Sequence, residues 1–403
     1  MPPTRRRLPS KSPTRIAEPP PVPADLRLAG AEILAPDGFA TGDIAFRDGR
    51  LCDRVHSGDR VIDATGLMIL PGIVDLHGDG FERHLAPRRG VVTDFRRALR
   101  WVEAEIAACG ITTSWLAQFW SWEGGMRAPA FAARVAEAVA AYEARLDLRL
   151  QLRLETHMVA DGPEVEAFVN RHGIDYLVFN DHLPHTYLAE GRKPPRLAGS
   201  AAKAGTSPER YLAEMNRLHD LGDEVPAFVA ALATRLRSRG LRLGSHDDTD
   251  AATRQSWSRM GLQIAEFPVT RTAAEAATAA GDPVVMGAPN IVRGGSHNRG
   301  GIAAEPLIAD GLVTAIASDY HYPSTADAAF ALADRGTLSL PKAWALVSSS
   351  PAATMGLADR GRIAPGLRAD VVVLDTTSRR ILATFAAGRP VHLTGRLAEA
   401  LIG

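Results

Sequence analysis

The sequence predicts an α/β protein: a (β/α)8 TIM-like barrel with a small β-sandwich domain formed by both chain ends. Three observations predict it. Eight short apolar runs alternate with alanine-rich helical stretches through the middle of the 403 residues. The first and last segments are β-like and divided by glycine and proline turns. Five of the eight central runs end in His, Asp or Glu, and a barrel keeps its chemistry at that end of its strands.

Composition sets the outer bounds. A hydrophobic content of 46% with 23% charged residues is ordinary for a globular chain. Lys plus Arg equals Asp plus Glu at 46 each, so no global field argues for nucleic acid or a membrane surface. An anionic ligand must then be held by local charge. Two cysteines, Cys52 and Cys109, exclude a disulfide framework and a cysteine zinc site. A reducing, cytoplasmic setting is the expected location. No window approaches the roughly 20 apolar residues that span a bilayer, and the N-terminus lacks the apolar core of a secretion signal.

Residues 1–25 carry Arg5, Arg6, Arg7, Lys11 and Arg15 among prolines, and read as a disordered basic tail. Residues 26–68 hold short β segments around Ala31–Ala35, Gly42–Phe46, Leu51–Val55 and Arg60–Ala64, and supply the first part of the small β domain. Residues 359–403 repeat that texture at Asp370–Asp375, Ile381–Phe385 and Val391–Thr394, and supply the second part. The barrel is expected over 69–358. Its strands are read near Ile69–His77, Thr112–Gln118, Leu148–His157, Tyr176–His182, Leu241–Asp247, Ile264–Phe267, Val284–Gly287 and Val313–Asp319. Helical stretches such as Asp94–Ala108 and Pro129–Leu146 lie between them. A doubly wound open sheet would look similar in places, but no G-x-G-x-x-G opens a βα unit. The total of eight favours closure.

Side chains two apart in a strand share a face, so His77 and Asp79 converge at the end of the first run. Glu155 and His157 do the same further on; Asp181-His182, His246 and Asp319 close later runs. A polar residue often closes a strand merely because the chain is entering solvent. Five strands ending so at one rim are harder to assign to accident. Divalent Zn, Mn or Mg ions accept such a nitrogen and oxygen set. One ion or two could be held, a pair lying about 3.5–4 Å apart with Glu155 as the candidate bridge. Asp319 is a candidate both for metal ligation and for proton transfer, and the two roles compete.

Two loops have an anion-binding look. Arg192, Lys193, Arg196 and Lys203 stand against Glu190 in a proline- and glycine-punctuated stretch, which reads equally as a solvated surface loop. Arg293, His297 and Arg299 are set among glycines whose amides can face one ligand. Glu82, Arg83, His84 and Arg88 follow the first strand, and either line the mouth or form a salt-bridged turn. His84, Arg88, Asp247, Arg293 and His297 are the expected substrate contacts. Trp115, Trp120 and Trp122 are read as core packing before pocket lining.

The order of these features resembles the amidohydrolase superfamily. Leu-Pro-Gly-Ile-Val-Asp-Leu-His (Leu70–His77), the strand-end histidines, Asp319 and Gly361-Arg-Ile-Ala-Pro-Gly-Leu-Arg-Ala-Asp carry the resemblance. It implies a metal-dependent hydrolase on a distorted (β/α)8 barrel. Several stretches are similar to that family's diphosphatases of phosphonate degradation: His77–Val91, Asn180-Asp-His, Ser245-His-Asp-Asp-Thr, Gly287–His297 and Ser318-Asp-Tyr-His-Tyr-Pro. The similarity implies release of diphosphate from a small phosphorylated sugar, a ribose 5-triphosphate, with a C–N hydrolase as the rival. It also implies metal ligation by His77, Asp79, Glu155, His182, His246 and Asp319. A homodimer is compatible with the reading.

Two departures stand out. Asp79 and Glu155 replace the superfamily's commoner histidine and bridging lysine, and the two later histidines fall one strand early. After His182, the sequence Leu183-Pro-His-Thr-Tyr replaces the Thr-Pro-Gly-Gln usual in the diphosphatases, so a change of substrate would be written here.

Overall fold

A computed structural model describes residues 25–35, 37–53, 56, 58–88, 91–296 and 301–402. The expected basic tail, apart from Asp25, lies outside these residues, as do His297 and Arg299. Among the described residues, no helix is long and apolar enough to cross a membrane.

The chain opens with β1 (Leu26–Ala35), β2 (Gly38–Arg47), β3 (Arg50–Cys52), β4 (Arg60–Asp63) and β5 (Leu67–Pro71). β1 pairs antiparallel with β2 and has two parallel partners. Leu26–Ala29 face β4, while Glu32 and Ile33 face β5, so the sheet forks at the irregularity between Leu28 and Ala31. Eight parallel strands follow: β6 (Ile73–Gly78), β7 (Ile111–Trp120), β8 (Asp147–Glu155), β9 (Tyr176–Asn180), β10 (Arg242–His246), β11 (Ile264–Glu266), β12 (Val284–Gly287) and β13 (Ala315–Ala317). The chain then returns as β14 (Val371–Asp375), β15 (Ile381–Ala386) and β16 (Arg389–Leu393), and β14 joins β5 antiparallel. Both ends therefore share one mixed sheet, with its own core around Leu28, Ile69, Val371 and Phe385.

One expected strand is two. The apolar run Ile69–His77 divides at Gly72, its first half pairing with β14 and its second with β7. A β-carbon at Gly72 would meet Thr112 Oγ1 at 2.5 Å, so only glycine lets the chain pass so close to β7 as it leaves one sheet for the other.

Helices cover the barrel because their apolar residues recur at helical spacing. Over Phe95–Ala108, Phe95, Leu99, Val102 and Ile106 are buried, and Asp94 caps the start by accepting from the Arg97 amide at 2.9 Å. β8 shows the complementary strand pattern. Leu150, Leu152 and Leu154 join the main core, while Gln151, Arg153 and Glu155 alternate with them and are also buried. Trp115 and Trp120 are core residues, each indole N–H donating at 2.8 Å to a carboxylate (Asp175 and Asp161). Trp122 packs on Tyr211.

The barrel closes between β6 and the end of β13. Asp319 N–H donates to the His77 carbonyl at 2.8 Å, and Asp79 N–H to the Asp319 carbonyl at 2.9 Å. Beneath them the buried Asp75 carboxylate accepts from the Ser318 amide (2.8 Å) and hydroxyl (2.7 Å). Gly78 sits in this seam. A β-carbon there would lie 2.6 Å from the Tyr322 ring and 2.8 Å from Asp75 Oδ2.

Gly78→Ala is therefore expected to destabilise the protein by about 1–3 kcal/mol through overpacking. Gly199→Ala, in the helix Leu197–Ala204 with nothing within 4 Å of the new carbon, is expected to stabilise by about 0.5–1 kcal/mol. Urea unfolding of both variants checks the pair; equal midpoints would remove the packing argument.

Candidate active site

The strand ends converge. His77 is fully buried at the end of β6. Its Nδ1–H donates to Glu266 Oε2 at 2.8 Å, from the end of β11. The other oxygen of Glu266 accepts from Tyr176 Oη and Gln151 Nε2, both at 2.6 Å. A carboxylate so held fixes the imidazole tautomer. His77 Nε2 is consequently left with its lone pair, buried and without a hydrogen-bond partner among the described residues. Burial opposes charge on both groups. The attraction between them outweighs it, raising the His77 pKa and lowering that of Glu266.

His77, Asp79 and Asp319 each bring a ligand atom within 4.8 Å of the others. Burial raises the Asp319 carboxyl to about 6, and the neighbouring Asp79 charge adds to the effect. Two close carboxylates beside an orphaned imidazole nitrogen form a donor set that a divalent cation completes. The chemistry of these residues fits one.

A second group, Glu123, Glu155 and His182, meets the same distance criterion. It is differently satisfied. His182 Nδ1–H donates a hydrogen bond to Glu155 Oε1, and the His182 amide donates to Glu155 Oε2 at 3.1 Å. Burial would lower the His182 pKa, but the Glu155 hydrogen bond raises it overall.

Between the groups runs Arg153. Its Nη2 donates to His246 Nε2 at 2.9 Å, and its Nη1 lies 3.7 Å from Asp79 Oδ2. The guanidinium rests on the Phe119 ring at 4.0 Å, and Arg127 meets the same ring at 4.1 Å. Arg127 also pairs with Glu123 at 2.6 Å. Since Arg153 only donates, His246 accepts through Nε2 and carries its proton on Nδ1, which lies 3.1 Å from Asp247 Oδ2. Burial foremost keeps the His246 pKa low, consistent with a neutral ring.

Three non-glycine residues within two positions of a barrel strand's end adopt left-handed backbone: Asp247 (φ 58°), Phe267 (φ 51°) and Asp319 (φ 55°). For a phenylalanine this conformation costs energy, which strained sites concentrate near function. The turn sets Phe267 edge-on to both His77 (4.9 Å) and His246 (5.1 Å).

The cavity above is lined by Asp79, Arg127, Arg153, His182, His246, Asp247, Arg293 and Asp319, with apolar walls from Phe119, Phe267, Val269, Met286 and Ile302. Asn290 braces one side, donating to the Ile302 carbonyl (3.0 Å) and accepting from the Ala304 amide (2.9 Å).

Of the expected substrate contacts, Asp247 and Arg293 line this cavity. His84 and Arg88 are not among the described residues that do. His84 Nε2 is held by Glu105 at 2.6 Å and Arg83 pairs with the same carboxylate, so the turn after β6 is the salt-bridged alternative. Arg88 is exposed and bridges to Val91. His297 lies outside the described residues. The basic stretch 192–203 is also absent from the described lining: Arg192 pairs with Glu190 and covers Tyr187. His182 lies just past the fourth barrel strand and His246 ends the fifth, as counted in the sequence. Sequence reading missed Glu266, Arg153, Arg127 and Glu123. The alternation Gln151, Arg153, Glu155 was the available signal for Arg153.

Comparison with known proteins agrees with this geometry. The profile of the amidohydrolase family matches residues 81–392. The chain is 33% identical over 347 residues to the α-D-ribose 1-methylphosphonate 5-triphosphate diphosphatase of Escherichia coli K12, covering 83% of this chain and 90% of that one. It is 26% identical over 397 residues to an adenine deaminase of Methylobacterium sp. strain 4-46, covering 92% of this chain and 59% of that one. Solved structures share the fold. An amidohydrolase crystal structure superposes with a TM-score of 0.62 at 16% identity, over 92% of this chain and all of that one. A mutant atrazine chlorohydrolase from Arthrobacter aurescens TC1, complexed with zinc and atraton, gives 0.62 at 14% identity, over 94% of this chain and 98% of that one. With the profile spanning most of the sequence and a relative at 33% identity along most of its length, the chain belongs to the amidohydrolase family and is a hydrolase.

Proposed function

We propose that this hydrolase cleaves a phosphoanhydride bond of a ribose 5-triphosphate, of the α-D-ribose 1-methylphosphonate type, and releases diphosphate. One observation carries the reading. Three guanidinium groups, Arg127, Arg153 and Arg293, line the same cavity as Asp79, His246 and Asp319. Fixed positive charge of that kind suits a polyanion, because guanidinium and phosphate pair through parallel N–H···O bonds. The diphosphatase relative supports the same substrate class.

In this reading His77, Asp79 and Asp319 hold one divalent ion, of zinc, manganese or magnesium type, with His246 beside them. When bound, such an ion acidifies water and polarises a phosphoryl oxygen. The remaining duties fall to side chains. Glu266 keeps the His77 lone pair turned inward. Arg153 and Arg293 orient the phosphoryl oxygens and offset charge gathering on them. Asp319 takes up the proton shed in the attack and passes it to the departing diphosphate. Glu155 and His182 serve as a hydrogen-bonded pair, with the Arg153 charge standing beside them. The apolar walls limit access of bulk water.

The similarity to an adenine deaminase favours a second reading, hydrolysis of a C–N bond. Phosphorus NMR of the protein with α-D-ribose 1-methylphosphonate 5-triphosphate separates the two. Diphosphate release is expected; ammonia from adenine with no diphosphate would overturn the phosphoanhydride reading.

Arg153→Lys keeps a charge and loses the planar fork, and is expected to lower kcat about 10²–10³-fold with an unchanged circular dichroism spectrum. Asp319→Asn or His246→Ala should cost about 10³-fold or more. Turnover near the wild-type rate in any of these would remove that residue from the site.

Cation binding must displace the Asp319 proton when the pH is below about 6. The Asp319 contribution to the apparent affinity should therefore fall about tenfold per pH unit below 6 and be flat above it, and protonation of His77, whose pKa is raised, adds to the loss at low pH. Equilibrium dialysis against Mn²⁺ from pH 5 to 8 measures this, and an affinity unchanged down to pH 5 would contradict it.

A further inference from the structure

Asp181 precedes His182 in the chain, but its carboxylate turns to other partners. His185 Nε2 lies 3.0 and 3.1 Å from its two oxygens, and His157 Nδ1 lies 3.7 Å from Oδ1. The three residues bring ligand atoms within 4.8 Å of one another. Behind them, His185 Nδ1 meets His219 Nδ1 at 2.8 Å. His157 and Asp181 come from the rim of β8 and β9, His185 opens the helix His185–Ala189, and His219 ends the helix Pro208–His219.

We propose that His157, Asp181 and His185 form a second divalent-cation site, of zinc type, with His219 as the hydrogen-bond acceptor that orients His185. Two imidazoles and a carboxylate are a set zinc takes readily, with water or a fourth group completing the tetrahedron. Zinc bonds of 2.0–2.2 Å put neighbouring ligand atoms about 3.3 Å apart. The Asp181 carboxylate lies 3.0 Å from His185 Nε2 and 3.7 Å from His157 Nδ1, on either side of that value, and the three ligand atoms all fall within 4.8 Å of one another. A metal-bound imidazole ordinarily gives its other N–H to an acceptor, and the His219 contact supplies one to His185. The site is open on one side: the side chains of Asp181 and His185 are 37% and 39% exposed, against 4% for His157. An ion can thus enter and keep a water. It would displace the 3.1 Å contact between Thr156 Oγ1 and His157 Nδ1.

The location gives the ion a purpose. The helices between His185 and His219 pack on a small core of their own, including Leu188, Tyr211, Met215 and Leu218, separate from the main core. A cation joining His185 to His157 and Asp181 pins this helical insert to the barrel rim next to His182. The inference stands apart from the reaction proposed above, since it concerns different ligands and is read by metal content.

The test is zinc stoichiometry after equilibration with Zn²⁺ and gel filtration, by mass spectrometry of the metal. The His157→Ala and His185→Ala variants should each hold one zinc fewer than wild type. An Asp79→Asn, Asp319→Asn double variant, altered only at the main site, should retain the ion in question. His219→Gln should keep the stoichiometry and weaken the affinity about 10–100-fold. Zinc should also slow proteolysis within 185–219 in wild type and not in Asp181→Asn, a near-isosteric change that guards against misfolding of the alanine variants. Full wild-type stoichiometry in His185→Ala, or no zinc in the double variant, would overturn the site. Unchanged affinity in His219→Gln would overturn the role of His219.

Discussion

Closure of the barrel at one seam is the constraint from which the site follows. β6 and β13 are the first and last strands of the parallel sheet, far apart in sequence, and they meet through the ladder between His77, Asp79 and Asp319. Because the residues that make this ladder also carry the ligand atoms, closing the sheet and assembling the donor set are one event. Asp75 underwrites it. A fully buried carboxylate, driven towards its neutral form by burial, is tolerated because both Ser318 groups donate to it. The glycine between His77 and Asp79 is part of the same seam, since any larger residue would strike Tyr322.

Electrostatics then divides the rim. On one side two carboxylates and a bare imidazole nitrogen gather negative charge and lone pairs. On the other, Glu155 and His182 satisfy each other. Arg153 lies between, touching His246 and approaching Asp79, and its charge bears on both His77 and His182. Backbone strain is spent at the same place. The left-handed turns at Asp247, Phe267 and Asp319 fold the chain back at three strand ends, and wedge the Phe267 ring against both imidazoles.

Much of this was legible in the sequence, for a reason that also marks the limits. Period-two side-chain alternation and the strand-end rule fix which residues face the rim, and they placed His77, Asp79, Glu155, His182, His246 and Asp319 there. They do not say which rim residues satisfy one another. Glu266 ends a three-residue strand too short to show a period, and its role depends on His77 across the barrel. Arg153 was hidden by expectation rather than by pattern, because an arginine within an apolar strand is usually exposed. The break at Gly72 was invisible for another reason. Apolar residues run on through it, and only the proximity of Thr112 shows why the chain must change sheets there. His84 and Arg88 illustrate the converse error. Proximity to the first strand in sequence did not bring them to the cavity, because Glu105 on the neighbouring helix claims His84 first.

Arg153 also bears on what kind of charge the site can lose. An ion is exchangeable, and its affinity follows pH and supply. A guanidinium is covalently part of the fold and cannot be removed by a chelator. Because the Arg153 guanidinium faces the same cavity as Asp79 and Asp319, part of their negative charge is offset by a cation built into the chain. Glu155 and His182 satisfy each other, and the guanidinium is set in place by the Phe119 ring and the His246 acceptor. The rim next to His182 is flanked by the helices between His185 and His219, which pack on a core of their own.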